Sequence, residues 1–280
     1  MFMKVCSIIK MFRPINCLMM GAAVIIGEII ALGGLPEFHE ALLGASTAIF
    51  LMAGTMAIND YYDLEIDRIN RPEKPLPSGI IKTSHAIILG LIACGLGLAA
   101  AASLNASSLL IALFALSLML YYNTRGKRTG LLGNVVVSMC IGLPFIYGGA
   151  AVGKITFTLL LFSLISFTAN LGREVTKGIA DVEGDRVGGV RTVAVQYGPK
   201  FASKMASIFY LTAVILSPVP LVFGLVGRRY IPLVLVSDIG FIVSTFSLLR
   251  RYSSGDAERI KNMVLIWMSL GLLAFLAGSV

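Results

Sequence analysis

The chain is short of charged residues. Asp, Glu, Lys and Arg make up 14% of its 280 residues, whereas a soluble globular domain carries about 25%. The same sequence is 57% hydrophobic, and so few charged side chains could not cover the surface of a water-soluble protein of this length. The composition therefore excludes a cytosolic enzyme, a secreted disulfide scaffold and a nucleic-acid-binding protein, and it indicates a protein embedded in a lipid bilayer.

Histidine and cysteine are also scarce. The only histidines are His39 and His85, which makes a metal centre built from imidazole ligands untenable. The four cysteines are scattered without a C-x-x-C spacing, a distribution typical of small buried hydrophobic side chains rather than of disulfides or zinc ligands. Any metal ion bound by this chain would therefore need oxygen ligands.

Long apolar runs are abundant instead. Nine of them have about the ~20 residues that a helix needs to cross the hydrocarbon core. They cover residues 14–32, 41–61, 84–104, 106–123, 132–151, 155–176, 203–226, 231–249 and 259–279. We predict an all-α membrane protein, a bundle of nine transmembrane helices that forms one polytopic domain over residues 1–280. A count of eight stays open because only a short polar turn, 103–108, separates the third run from the fourth.

The basic residues predict the topology. When the loops are numbered alternately, 20 of the 23 Lys and Arg residues fall on one side of the membrane, and the other side receives only Lys154, Arg228 and Arg229. Because Lys and Arg collect in cytoplasmic loops, we predict a multi-pass protein of the cell membrane with a cytoplasmic N-terminus and an external C-terminus. Pro218 and Pro220 predict a kink in the seventh span.

The acidic residues are concentrated. Nine of the 15 Asp and Glu residues lie in two short segments, 60–73 and 174–185, at the predicted cytoplasmic ends of the second and sixth spans. Residues 63–68 and 181–186 both read D-x-E-x-D-R at an offset of 118 residues, which predicts an internal repeat of a four-helix unit. Because carboxylates near hydrocarbon are costly and usually mark function, we predict a functional site on the cytoplasmic face.

The spacing within these segments indicates a magnesium site. Asn59, Asp63 and Asp67 are at positions i, i+4 and i+8, so they share one helix face, and Asp181 and Asp185 repeat the i, i+4 pair. Neighbouring carboxylates repel each other unless a cation lies between them. Mg²⁺ takes one or two carboxylates and completes its shell with water and phosphate oxygens. The pattern therefore predicts a site for a Mg²⁺-bound diphosphate.

Basic residues flank both acidic segments and predict the remaining counter-charge. The predicted diphosphate-binding residues are Arg68, Arg71 and Lys74 after the first segment and Lys177 and Arg186 around the second, with Arg191 further along the second loop. The predicted cytoplasmic side has more polar and basic residues than one diphosphate needs. These additional residues predict an acceptor that carries its own phosphate. These predicted acceptor-binding residues are Arg13, Asn16, Arg125 and Lys127.

The two acidic segments resemble the signature motifs of a known family. Residues 59–67, NDYYDLEID, with the following R-P and K-P-L-P-S-G at 71–79, are similar to the NDxxDxxxD motif and trailing loop of the UbiA-type intramembrane prenyltransferases. Residues 181–185, DVEGD, match the second motif of that family, DxxxD. The resemblance implies an all-helical nine-span fold and transfer of a prenyl group from a polyprenyl diphosphate. It also implies Mg²⁺ ligands at Asn59, Asp63, Asp67, Asp181 and Asp185, with the four aspartates as catalytic residues.

The resemblance extends to the substrates. The short sequence is most similar to the archaeal branch of the family, which implies transfer of a geranylgeranyl group, through an allylic cation, to the free hydroxyl of geranylgeranylglyceryl phosphate in membrane ether-lipid synthesis. The prenyl tail would run between helices past residues such as Met19, Met20, Met52 and Phe145, positions that ordinary packing also explains. No nucleic-acid partner is expected.

Several alternatives stay open at this point. An aromatic acid or quinone precursor could replace the lipid acceptor. A cation-coupled transporter is the alternative from another class, although its acidic residues would lie near the bilayer midplane. Glu65, Asp67 and Glu174 are all candidates for deprotonating the acceptor hydroxyl. Two acidic residues inside predicted spans, Glu28 and Asp238, receive no role from the sequence.

Overall fold

The computed structural model describes residues 9–70 and 72–279. Over these residues the chain forms helices and turns without any β-strand. In chain order the helices are α1 (Pro14–Leu32), α2 (Phe38–Tyr62), α3 (Leu64–Asn70), α4 (Thr83–Leu104), α5 (Ala106–Thr124), α6 (Leu131–Ala151), α7 (Phe157–Ala180), α8 (Val182–Val187), α9 (Val193–Tyr197), α10 (Pro199–Leu216), α11 (Val219–Val222), α12 (Tyr230–Arg250) and α13 (Ser254–Ser279). A short 3₁₀ turn, Gly126–Arg128, lies between α5 and α6.

The long helices follow the predicted spans. Eight helical segments are long and apolar enough to cross a membrane, α10 and α11 counting as one segment. The remaining long helix, α7, coincides with the sixth predicted span but falls outside this set, because Asn170, Arg173 and Glu174 lower its mean hydropathy. The all-helical membrane class is confirmed over the described residues, whereas nine spans and the four-helix repeat stay predictions.

The third and fourth apolar runs form separate helices on either side of Asn105. Its backbone is extended, with φ −166° and ψ 170°, so the α4 helix cannot continue through it. The Asn105 side chain accepts a hydrogen bond from the Ser108 N–H at 2.9 Å and thereby caps the start of α5. The alternative in which these two runs form one span is therefore wrong.

The predicted interruption of the seventh span is also present. Helix α10 ends at Leu216, and α11 begins at Val219 after Pro218. The hydroxyl of Tyr230 donates a hydrogen bond of 2.8 Å to the Ser217 carbonyl oxygen. Neighbouring side chains therefore satisfy a backbone group near the break, as a break inside a membrane requires.

The helices pack as two groups joined along α1, α6 and α7. In the first group α2 packs on α4 and on α1, and α6 packs on α1 and α5. In the second, α7 packs on α10 and α13, and α12 packs on α10 and α13. A separate small core of Met11, Ala57, Leu76, Ile81 and Ala86 holds the segment that follows α3 against α2 and α4.

Hydrogen bonds and ion pairs identify which loops share an end of the bundle. Arg13 contacts Asp60, the Arg191 N–H contacts the Arg128 carbonyl, and the Ser254 hydroxyl contacts the Ile179 carbonyl. The loops rich in Lys and Arg therefore meet at one end. At the opposite end the Asn105 amide bonds to the Ala150 carbonyl at 2.8 Å, and the Gly227 N–H bonds to the Gly278 carbonyl at 2.7 Å. The assignment of the basic end to the cytoplasm stays a prediction.

The contact between α2 and α4 depends on glycine. A Cβ atom on Gly54 would lie 2.7 Å from the Gly90 carbonyl oxygen, closer than a carbon atom can approach without displacing the backbone. Because lipid is as apolar as the helix surface, membrane helices gain little from hydrophobic burial and associate through close packing at small residues. Gly54 therefore sets the separation of these two helices.

We expect Gly54→Val to lower the melting temperature of the detergent-purified protein, because overpacking of a tight contact costs about 1–3 kcal/mol. The control is Gly95→Val on α4, where an added Cβ would meet no atom within 4 Å. Equal melting temperatures for the two variants would contradict the close contact.

Candidate active site

The first acidic segment bridges a long helix and a short one. Asp63 lies between α2 and α3, and its N–H donates to the Asn59 carbonyl at 3.0 Å. The N–H of Asp67 donates in turn to the Asp63 carbonyl at 2.8 Å. Because the i to i+4 bonding runs through the junction, Asn59, Asp63 and Asp67 keep the shared face that their spacing predicts. The Asn59 side-chain amide also donates to the Asp63 carboxylate at 2.9 Å.

The second acidic segment has the same local structure. Asp181 lies between α7 and α8, with its N–H donating to the Lys177 carbonyl at 2.9 Å. The N–H of Asp185 donates to the Asp181 carbonyl, again at 2.9 Å. Both D-x-E-x-D-R segments therefore place their first Asp at the junction of a long helix and a short helix, and their third acid one turn later.

The turn after α5 links the two acidic segments. Its Lys127 ammonium lies 2.7 Å from the Asp63 carboxylate of the first segment. The Arg191 N–H, in the loop after α8, donates to the Arg128 carbonyl at 3.4 Å. Both acidic segments therefore lie at the same end of the bundle.

Three cations neutralise the first segment. The Lys127 ammonium lies 2.7 Å from both carboxylate oxygens of Asp63. The Lys74 ammonium lies 2.6 Å from Asp67 and 3.6 Å from Asp60. Burial lowers the pKa of Lys127, and the Asp63 carboxylate opposes that shift, so the two groups stabilise each other's charged forms.

Arg13 supplies the third cation. Its guanidinium lies 3.2 Å from the carboxylate of Asp60, which is buried. Among the described residues Arg13 is the only non-glycine with a positive φ, 51°. A long side chain rarely adopts this conformation, and such strain concentrates at functional sites.

The second segment carries less counter-charge. Asp181 is exposed and Asp185 is half-buried, and no described cation lies within 4.0 Å of either carboxylate. Burial raises the pKa of Asp185 to about 6, and the charge of Asp181 adds to the rise, whereas Lys177 and the Thr192 side chain oppose it. A bound cation would therefore relieve the repulsion most strongly at this segment.

The ligand set fits a metal ion that a diphosphate helps to bind. Over residues 9–70 and 72–279, no three His, Cys, Asp or Glu side chains are close enough to enclose an ion by themselves. The segments offer pairs of carboxylates and one amide instead. Mg²⁺ needs only one or two carboxylates when substrate phosphates complete its shell, so the residues fit a shared metal–diphosphate site rather than a closed protein cage.

The other predicted diphosphate- and acceptor-binding residues that the structure describes are exposed. Arg68 pairs with the exposed Glu65 at 2.8 Å, and Lys177 lies 3.8 Å from Glu174. Arg71 lies outside the described residues. The side chains of Arg186, Arg191, Arg125 and Asn16 are exposed.

An apolar cavity of about 370 Å³ extends from this end of the bundle between α1, α2, α6, α7, α10, α12 and α13. Its lining includes all four residues that the sequence suggested for a prenyl tail, Met19, Met20, Met52 and Phe145. It also includes Arg173, which the sequence interpretation counted only as a topology signal. The i, i+4, i+8 spacing of Arg173, Lys177 and Asp181 is the signal that would have found it.

An all-helical membrane fold with two acidic segments at one end of the bundle and an apolar cavity between its helices is typical of an intramembrane enzyme. The chain belongs to the UbiA prenyltransferase family, whose model matches residues 20–271. It is therefore an intramembrane prenyltransferase. The family resemblance derived from the two motifs is confirmed.

Individual relatives and solved structures are similar to this chain over nearly its full length. A digeranylgeranylglyceryl phosphate synthase of Methanopyrus kandleri is 39% identical over 272 residues, which are 96% of this chain and 98% of the relative. A solved structure described as digeranylgeranylglyceryl phosphate synthase is similar with a TM-score of 0.87 and 33% identity, covering 99% of this chain and 98% of the other. A UbiA homologue from Archaeoglobus fulgidus bound to GPP and Mg²⁺ shares the fold, with a TM-score of 0.71, 21% identity, and coverage of 96% and 99%.

The contact between Lys127 and Asp63 yields a test of the Lys127 role. We expect Lys127→Ala to lower prenyl transfer on the order of 100-fold, since a positioned charge would be lost where charge develops. The Michaelis constant for the prenyl diphosphate should rise, because Lys127 contacts the first acidic segment. A rise only in the Michaelis constant for the acceptor would instead support the sequence-based expectation that Lys127 binds the acceptor. The exposed Arg128 gives a matched control, Arg128→Ala.

Proposed function

We propose that the protein transfers the geranylgeranyl group of geranylgeranyl diphosphate to the free hydroxyl of geranylgeranylglyceryl phosphate. The observation that carries the proposal is the pair of acidic segments at one end of the bundle, beside an apolar cavity whose lining includes Arg173, two turns before Asp181 on α7. The full-length identity of 39% to a protein named for the product of this reaction supports the choice of substrates.

The acidic segments hold the donor in this proposal. Asn59, Asp63, Asp67, Asp181 and Asp185 bind Mg²⁺, and the homologue from A. fulgidus was solved with Mg²⁺ and GPP bound. The metal, when bound, would neutralise the diphosphate as a leaving group. Lys74 and Lys127, which already lie beside Asp67 and Asp63, would turn part of their hydrogen bonding toward the diphosphate oxygens.

The cavity would provide the environment for the steps that follow departure of the diphosphate. Departure of the diphosphate leaves an allylic cation on the prenyl group, and water would capture that cation in an open site. The apolar lining excludes water and accommodates the tail. The acceptor hydroxyl then forms the new C–O bond to the first prenyl carbon as its proton passes to a carboxylate of the site. Glu65, Asp67, which bonds Lys74, and Glu174, which bonds Arg173, are the candidate bases.

The location of the site favours enzyme chemistry over ion transport. The acidic segments lie at helix ends joined to basic loops, whereas coupling ions in transporters bind near the midplane on broken helices. We propose that this end faces the cytoplasm, because 20 of the 23 Lys and Arg residues belong to its loops.

The proposal is tested with purified protein in detergent, Mg²⁺ and radiolabelled geranylgeranyl diphosphate. Geranylgeranylglyceryl phosphate and 4-hydroxybenzoate are supplied separately as acceptors, and the labelled products are separated by chromatography. We expect a doubly prenylated glyceryl phosphate with the first acceptor only. A product formed only with the aromatic acid would overturn the lipid assignment and support the aromatic alternative.

We expect Asp63→Ala and Asp181→Ala to reduce transfer by at least about 100-fold, because each removes a metal ligand from one acidic segment. Both variants should stay folded. The melting temperature of Asp181→Ala should stay close to that of the wild type because this side chain is exposed, whereas that of Asp63→Ala should fall because Lys127 loses its partner. Glu183→Ala removes an exposed acid from the second segment and serves as the control. Near-normal turnover of either aspartate variant would remove that residue from the metal site.

Removal of divalent metal should abolish transfer as well. Treatment with EDTA is expected to stop product formation, and addition of Mg²⁺ is expected to restore it, since the oxygen-only ligand set suits a hard cation. Undiminished activity in excess EDTA would contradict the proposed metal dependence.

A further inference from the structure

Arg173 is the one basic residue among the described residues that line the apolar cavity. Its side chain is 21% exposed. The Nε atom is buried and has no hydrogen-bond partner within the described residues. A cationic donor left unbonded beside an apolar space is unfavourable, so this group indicates that an anionic acceptor of hydrogen bonds binds there.

The known contacts of Arg173 leave most of its donors free for such a ligand. One Nη atom donates to the Glu174 carboxylate at 3.3 Å. A guanidinium carries five N–H donors in a rigid fork, a geometry that matches a carboxylate or phosphate group. Asn16 lies in the same cavity lining and adds a further hydrogen-bonding group.

Arg173 lies apart from the predicted metal ligands of the second segment. On α7 it precedes Lys177 by one turn and Asp181 by two turns, a rise of about 12 Å along the axis from Asp181. Arg173 lines the cavity, whereas Asp181, Asp185 and the predicted metal ligands of the first segment do not. An anion that Arg173 binds in the cavity is therefore distinct from a diphosphate held by those ligands.

Other cations suited to a second anion are already engaged. Arg13 contacts Asp60, and Lys127 contacts Asp63. Arg125 is exposed and does not line the cavity. Arg173 therefore combines a cavity position with unused donors, which neither Arg13 nor Lys127 does.

We propose that Arg173 binds the phosphate of the acceptor lipid and thereby makes the enzyme select a phosphorylated acceptor over the corresponding alcohol. This inference rests on the proposed function. It assigns phosphate recognition to α7, where the guanidinium would place the glycerol hydroxyl on the cavity side of the diphosphate, next to the prenyl carbon that it attacks.

The test compares two acceptors, geranylgeranylglyceryl phosphate and its dephosphorylated alcohol, in the wild type and in Arg173→Gln. We expect the variant to raise the Michaelis constant for the phosphorylated acceptor at least about tenfold, the effect of losing a charge-assisted hydrogen bond. The Michaelis constant for geranylgeranyl diphosphate and the rate with the alcohol should change by less than about twofold, within the scatter of neutral contacts. The preference for the phosphorylated acceptor therefore falls.

Two further variants separate recognition from folding. Arg173→Lys keeps the positive charge and should recover part of the phosphate preference. Ser166→Ala alters the same cavity lining without a charge and should keep the preference of the wild type. If Arg173→Gln does not fold, as judged by its melting temperature in detergent, the loss of preference is measured in Arg173→Lys, which cannot reproduce the bidentate fork.

Three outcomes would overturn the inference. They are an unchanged preference in a folded Arg173→Gln, an equal loss with both acceptors, and a rise in the Michaelis constant of the diphosphate alone. A wild-type enzyme that uses an aromatic acid and neither glycerol lipid would instead overturn the proposed function itself, so the two failures are distinguishable.

Discussion

Carboxylates at the edge of a hydrocarbon layer remain ionised only where cations or bound water compensate them. The first acidic segment meets this requirement with protein charges, since Lys127 lies against Asp63 and Lys74 against Asp67. These ion pairs also connect distant parts of the chain, because they tie the turn after α5 and the segment after α3 to the end of α2. The arrangement of the loops at this end thus depends on the same charges that we propose attract a metal-bound diphosphate.

The two acidic segments share a backbone design but differ in charge compensation. Asp181 and Asp185 have no described cation within 4.0 Å, unlike Asp63 and Asp67. In the proposed function, a cation between the segments would gain most of its attraction from the second, while the lysines of the first would provide donors for its phosphate partner. In the proposed site the two aspartate pairs would therefore have different roles.

Local periodicity made much of this structure predictable from the sequence. Helical spans follow from runs of about 20 apolar residues, and the shared face of Asn59, Asp63 and Asp67 follows from their spacing, because one helical turn separates each residue from the next. The pairing of Lys127 with Asp63 was not predictable, since the residues are 64 positions apart and meet only through tertiary packing. The sequence did not predict the cavity position of Arg173, because hydropathy alone cannot distinguish a charged residue in a loop from one whose side chain lies inside the bundle.

The composition of α7 has a consequence for how the protein is assembled in the membrane. Charged side chains lower the tendency of a segment to insert into lipid, and α7 combines Arg173 with Glu174 and Asn170 over a single helical turn. This helix is poorly suited to stay in lipid by itself, and α6, α10 and α13 pack around it. The stability of α7 in the bilayer therefore depends on these neighbours, so the order in which they insert affects how the protein is assembled.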